Sequence, residues 1–214
     1  MDVCPTVLVV SANLANFDKP VEHVKQSVDC DYFTFTDENF PPRVSTMKPR
    51  LQARIPKMMA WQMKPGYDYY LWIDSSCRLA HKDAVKWFLD QLGDKDMAVF
   101  KHPHRKTVGE EADYLKERLA MDCPYITPRY NGERIDDQLA VVNPYEELYA
   151  STAFIYKDDT RARDALTIWW LHTSLYHSID QLSLPHAIRQ SGAKVNVIPD
   201  NYLKVKWIEY VRNK

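Results

Sequence analysis

Residues 6–10, Thr-Val-Leu-Val-Val, form an unbroken run of β-branched and aliphatic side chains, the pattern of a strand buried on both faces of a parallel sheet. The run stops at Ser11-Ala12-Asn13, small polar residues of the kind that open a strand into a ligand-binding loop. The pattern then predicts a short helix over 19–28 and a second strand over 31–36, closed by Asp37. A proline-rich stretch, 40–49, leads into a helix over 51–63 that Pro56 interrupts. Residues 69–73 predict a third strand, which runs straight into Asp74-Ser75-Ser76. A helix over 82–92 and a strand over 97–101 follow. Thr107 and Glu110 have capping-box spacing, so a helix is expected from there to about residue 121. Beyond it the pattern predicts a helix over 133–148, a strand over 149–156, helices over 160–176 and 180–190, and a last strand over 194–198.

Strands alternating with helices imply parallel βαβ units joined by right-handed crossovers. The expected fold is α/β, a mostly parallel central sheet flanked by helices. With 5 glycines, 13 scattered prolines, no repeat and no linker, the 214 residues read as one domain, 1–214, or as the first domain of a longer chain. In such a sheet the ligand sits beyond the carboxyl ends of the strands, which directs attention to 11–13, Asp37, 74–76 and the segment after Ala150.

Charge and cysteines narrow the classes. A formal net charge of −1 gives nucleic-acid binding no electrostatic support. Cys4, Cys30, Cys77 and Cys123 are far apart with no C-x-x-C pair, and they read as reduced thiols. With no signal-peptide pattern and no stretch near the ~20 apolar residues of a membrane span, a soluble, cytoplasmic protein is expected.

The strongest chemical feature is the buried strand that delivers Asp74 with Ser75 and Ser76 to the sheet edge. A hard divalent cation takes oxygen ligands, only a few of them from protein, and completes its shell with phosphate and water. A nucleoside diphosphate leaving group needs such a cation as its charge develops. A carboxylate capping the loop is the plainer alternative. Asp180 precedes a helix, where it serves either as N-cap or as a carboxylate aimed into the cleft. His102 and His104, beside Arg105 and the Glu110-Glu111 pair, lack a companion at zinc-like spacing; a polar rim touching acceptor hydroxyls (His102, Arg105, Glu110) is the better reading. Arg54 and Lys57, three apart, share a helix face and suit a diphosphate or plain solvation. Trp169 and Trp170 read as helix core rather than a sugar platform; His172, His177 and His186 carry no assignment.

Taken in order, these segments resemble the GT-A-type glycosyltransferases, including the N-terminal domains of chlorella-virus capsid-protein glycosyltransferases. The resemblance rests on the first strand and its polar end, Arg54-x-x-Lys57, the strand into Asp74-Ser-Ser76, residues 101–113 and Asp180-Gln-Leu-Ser183, and it spans about residues 5–200. It implies a GT-A fold, Mn²⁺ or Mg²⁺ as cofactor, a UDP-sugar donor (UDP-rhamnose or UDP-glucose-like) and a glycan or glycoprotein acceptor; a viral origin implies the host cytoplasm. By the same resemblance Asp74 and Ser76 stand at the D-x-D metal position with Ser75 between them. Ser11, Asn13 and Asp37 fall around the nucleoside, Arg54 and Lys57 near the phosphates, and Asp180 on the catalytic carboxylate. One departure is that Ser76 stands where the second Asp of D-x-D belongs. Two other classes share the expected sheet: a nucleotidyltransferase, disfavoured because residues 11–16 contain no glycine, and a non-catalytic sugar- or nucleotide-binding module.

Overall fold

The computed structural model describes residues 5–130, 134–176 and 179–211; Cys4, His177 and Ser178 lie outside the described residues. The first half contains β1 (Val7–Asn13), β2 (Asp31–Thr36), α1 (Pro49–Gln52), α2 (Arg54–Met63), β3 (Tyr69–Ile73), β4 (Cys77–Leu79), α3 (Ala84–Leu92) and β5 (Met97–Lys101). The second contains α4 (Val108–Ala120), α5 (Thr127–Tyr130), α6 (Ile135–Leu139), β6 (Tyr149–Lys157), α7 (Thr160–Tyr176), a 3₁₀ turn (Asp180–Leu182), α8 (Leu184–Ser191), β7 (Val195–Ile198) and β8 (Ile208–Tyr210). Six strands form one sheet in the order β2-β1-β3-β6-β5-β7, and β4 pairs with β8 in a separate ribbon.

The sheet is mostly parallel, and β6 is the strand that breaks the pattern. It runs antiparallel to both neighbours, β3 and β5. One reversed strand agrees with the mostly parallel sheet expected, but which strand reverses was not readable: a continuous apolar run reads the same in either direction, so hydrophobic pattern carries no strand polarity. The reversal matters for the site, because it brings the start of β6 to the end of β3, where the Asp74 N–H donates to the Thr152 carbonyl at 2.8 Å.

Alternate residues of the strands feed two cores. Leu8, Val10, Tyr70 and Trp72 face α2, α7 and α8, with Trp169 fully buried at the centre; Val7, Val9, Leu71 and Ile73 face α3 and its neighbours. A third cluster joins α4 and α6 to Ile179 and Leu182, which seats the 3₁₀ turn. Among the described residues no helix is long and apolar enough to cross a membrane, and Cys30, Cys77 and Cys123 are free thiols.

Four helix expectations are corrected. Residues 19–28 form no helix; they run as a strap, with Val24 N–H on the Leu79 carbonyl (3.0 Å) and Ser27 N–H on that of Lys82 (2.7 Å). Tertiary bonds to the β4 region outcompete the weak helical spacing of the valines there. The 51–63 helix is two, divided at Ala53, which leaves Pro56 in the first turn of α2, where its missing N–H costs nothing. Within 133–148 only α6 is helical among the described residues, since Pro144 lies in the path. The 180–190 helix is a 3₁₀ turn followed by α8, with Pro185 in the first turn of α8. The capping box at α4 forms with one shift: Thr107 Oγ1 accepts from Glu110 N–H (3.2 Å), while the Glu110 carboxylate takes the N–H of Lys106 (2.5 Å) rather than that of Thr107.

Candidate active site

The end of β3 and the 3₁₀ turn bring two carboxylates to one buried ammonium. Lys57, projecting from α2, has a side chain with no exposed area. Its Nζ lies 2.8 Å from Asp180 Oδ2, 3.1 Å from Ser151 Oγ and 3.4 Å from Asp74 Oδ1. Ser151, in β6, donates in turn to Asp180 Oδ2 at 3.3 Å. The indole N–H of Trp72, two residues before Asp74, donates to the same Asp74 Oδ1 at 2.8 Å. No hydrogen bond among the described residues falls on the other oxygen, Oδ2. Asp74 keeps 30% of its side-chain surface, against 6% for Asp180.

Asp180 is held from both ends. Its backbone carbonyl accepts the Trp169 indole N–H at 2.7 Å, and Arg54 Nε approaches its Oδ2 at 3.2 Å. Burial alone pushes such a carboxyl up, but Arg54, Lys57 and the more distant Arg50 together outweigh it and hold Asp180 at about 2. It is therefore a carboxylate throughout the physiological range. Arg50 is itself fixed over the Tyr130 ring, 3.8 Å from its centroid, and donates to the Arg129 carbonyl.

The loop after β1 supplies a residue that the sequence reading missed. Asn13 pairs reciprocally with the backbone of Asp18 (2.7 and 3.0 Å), and Asp37 accepts the N–H of Ala15 at 2.7 Å. Ala15 and Asn16 lie in the left-handed region, at φ 58° and 49°. This folding back delivers the Asp18 carboxylate to Ser75, whose Oγ donates to it at 2.5 Å. Burial pushes the Cys77 thiol up to about 12, and the charges of Asp74 and Asp18 add to that. Ser11 is buried within β1, and Ser76 Oγ lies 4.0 Å from Cys77 Sγ. Only a fold-level view could find Asp18, since its signal is a clamp closed by Asn13.

On the other side, His102 Nδ1 accepts the backbone N–H of Arg105 (3.0 Å), which places its proton on Nε2. Burial, then the charges of Arg105 and His104, lower it to about 4, so the ring is neutral near pH 7. Arg105 pairs with Glu111 and lies over the Tyr114 ring at 4.1 Å. Glu111 is buried, and burial raises its carboxyl despite Arg105, with the Asp180 charge contributing in the same direction. Of the two adjacent glutamates, Glu111 is thus the inward one, while Glu110 stays at the helix cap. Further off, the His172 and His186 rings meet at 4.6 Å, and Trp170 packs half-buried beside Trp169 in the core. Among the described residues no three His, Cys, Asp or Glu side chains are grouped as a metal cage.

The model of the TOD1/MUCI70 glycosyltransferase-like domain matches residues 43–207, about three-quarters of the chain. The chain belongs to that family. As a TOD1/MUCI70 glycosyltransferase-like domain it carries Arg54, Lys57, Asp74, Ser151 and Asp180 inside the matched stretch, whereas Ser11, Asn13, Asp18 and Asp37 precede it. A search of curated proteins found no match. One similar solved structure is titled as a glycosyltransferase involved in the glycosylation of the major capsid of PBCV-1. It is 11% identical, with 91% of this chain and 83% of that one covered at a TM-score of 0.48.

Proposed function

We propose that this glycosyltransferase-like domain moves a sugar from a UDP-sugar, UDP-rhamnose or UDP-glucose-like, to a glycan or glycoprotein acceptor with the help of Mn²⁺ or Mg²⁺. The observation that carries the reading is the convergence of Asp74 and Asp180, from distant parts of the chain, on the one buried ammonium of Lys57. A structural cap has no need of a second carboxylate and a buried lysine.

The donor set suits a hard cation. Asp74 Oδ2 accepts no hydrogen bond from the described residues, its twin is held by Trp72 and Lys57, and Asp18 is tied through Ser75 to the loop that follows Asp74. One or two carboxylates plus substrate phosphate is a usual complement for Mg²⁺ or Mn²⁺, so Asp74, with Ser76 and Asp18 in support, is assigned to hold the ion. When bound, the ion neutralises the diphosphate charge. In the transfer, the bond from the anomeric carbon to the diphosphate oxygen breaks with its electron pair going to UDP, and the acceptor hydroxyl forms the new bond as its proton passes to the departing diphosphate. Asp180, ionised and gripped by two cations, is a poor proton acceptor but a fixed source of negative potential for the positive charge that builds on the sugar. Arg54 offers a cation to the phosphates, and Ser11, Asn13 and Asp37 shape the nucleoside end.

Thermal unfolding with a panel of nucleotides tests this directly. UDP with Mn²⁺ is expected to raise the melting temperature by mass action, and UDP alone much less. Absence of any shift with UDP or UDP-sugars overturns the donor assignment.

A further inference from the structure

We infer that Lys57 is a positioning residue, a strut that sets the donor-side carboxylate Asp74 and the catalytic-side carboxylate Asp180 against each other, and that it makes no contact with the donor phosphates. The roles given to those two carboxylates rest on the function proposed above; the strut itself rests on the geometry.

An ammonium has three N–H donors and no more. Around Lys57 Nζ stand three acceptors: Asp180 Oδ2 at 2.8 Å, Ser151 Oγ at 3.1 Å and Asp74 Oδ1 at 3.4 Å. The donors are used up inside the protein. The side chain has no solvent-exposed area, and its nitrogen lies between the rings of Trp72 and Trp169, 5.6 and 5.8 Å from their centroids. A phosphate oxygen reaching Nζ would have to displace one of these three acceptors, two of them carboxylates, from a cation with no solvent-exposed area.

The charges also explain why the lysine is tolerated where it is. A lone buried ammonium is costly, and so is a lone buried carboxylate; a cation shared by two anions, with a hydroxyl completing its shell, offsets both. Each carboxylate has a second tether, Trp72 for Asp74 and Arg54 for Asp180. Lys57 is the residue common to the two, so it fixes their separation rather than the existence of either.

The test pairs binding, turnover and stability in Lys57→Met, Lys57→Arg and the double variant Lys57→Met/Asp180→Asn, each compared with wild type. Calorimetry with UDP and Mn²⁺ is expected to give an affinity for Lys57→Met within about three-fold of wild type, because Asp74 keeps Trp72. UDP release from UDP-glucose, with water as acceptor, is expected to fall about 100-fold, the scale of a small misplacement at the reacting centre, and to recover in part with Lys57→Arg. The melting temperature is expected to drop by about 10 °C in Lys57→Met, which removes the nearer of the two cations paired with buried Asp180, and to rise again in the double variant. Loss of UDP affinity in Lys57→Met with turnover of bound donor preserved overturns the strut and makes Lys57 a phosphate ligand. If wild type binds no UDP, the donor reading fails on its own, and the melting temperatures still decide the strut: a double variant no more stable than Lys57→Met overturns it.

Discussion

Ser75 donates a 2.5 Å hydrogen bond to the carboxylate of Asp18, tying the residue after Asp74 to the loop that follows the first strand. The resemblance puts Ser76 where a second carboxylate is expected, so on the function proposed above Asp18 is the residue proposed to supply that carboxylate in space. We expect Asp18→Ala to raise the Kd for UDP in the presence of Mn²⁺ by about 10-fold, near the lower end of the cost of removing a supporting group at a metal site. Asp74→Ala is expected to cost more, and Ser76→Ala less. Calorimetry at fixed Mn²⁺ ranks the three, and an Asp18→Ala affinity equal to wild type removes Asp18 from the donor site.

Asp180 carries a pH signature. Its carboxyl is held at about 2 in the folded chain, below the value of about 3.9 for an unfolded Asp. A depressed carboxyl contributes stability that is present in full above the unfolded value and is lost as pH falls through the folded one. The contribution is about 2–3 kcal/mol near neutrality, lost between roughly pH 4 and 2. Urea unfolding across that window should show a steeper loss for wild type than for Asp180→Asn, which has no proton to take up there. Parallel curves would mean that the cations around Asp180 do not act on it as the geometry requires.

His102 titrates in a different window with the same sign. Burial lowers it to about 4 from an ordinary value near 6.5, so the folded chain resists the proton that the unfolded chain accepts. Its stability contribution is complete above pH 6.5 and falls away toward pH 4. His102→Asn retains an acceptor for the Arg105 N–H but does not titrate, and it should flatten stability between pH 6.5 and 4. NMR titration of the imidazole provides the direct check: a ring that protonates near 6.5 in the folded protein contradicts the burial argument.

The site was legible where a strand end or a helix cap announced it. Asp74 follows five strand residues that could hardly be anything but buried sheet, and Asp180 stands just before a helical stretch. The strand direction at β6 was not legible, since Tyr149–Lys157 is apolar enough to be buried either way, and only β3 and β5 on its flanks decide its polarity. Asp18 was hidden because it belongs to no element; its place depends on Asn13 folding the loop back and on two left-handed residues that no periodicity marks. Lys57 was found by its spacing from Arg54, but spacing told nothing of what surrounds it. Three acceptors around one ammonium on α2 come from β6, the end of β3 and the 3₁₀ turn, a coincidence of tertiary packing.

Trp169 links the core to the site, because its indole fills the space under α7 and α8 while its N–H holds the Asp180 carbonyl. Trp169→Phe keeps most of the ring but removes the shortest hydrogen bond to that carbonyl, leaving the longer ones from the Ser183 N–H (3.3 Å) and hydroxyl (3.4 Å), and is expected to cost about 1 kcal/mol; Trp169→Ala adds a cavity and should cost about 3–5 kcal/mol. Urea unfolding separates the two. The informative result is kinetic: Trp169→Phe should lower UDP release from UDP-glucose more than it changes UDP affinity, since it loosens Asp180 and leaves Asp74 untouched.

The adjacent glutamates at the start of α4 provide a contrast between a cap and a site wall. Glu110 is exposed and caps the helix through Lys106 N–H, so Glu110→Gln, which keeps an acceptor oxygen, is expected to change stability by no more than about 0.5 kcal/mol. Glu111 is buried against Arg105 with Asp180 close enough to raise its carboxyl further. Glu111→Gln leaves the Arg105 guanidinium without its counter-charge beside Asp180 and is expected to destabilise by about 1–3 kcal/mol. It should also free Arg105 to move toward Asp180, changing the rate of sugar transfer to any added acceptor while leaving Mn²⁺-dependent UDP affinity within about three-fold of wild type. Equal effects from Glu110→Gln and Glu111→Gln on unfolding and on transfer would place neither glutamate at the acceptor side, and would leave Arg105 as a helix-start residue with no part in the reaction.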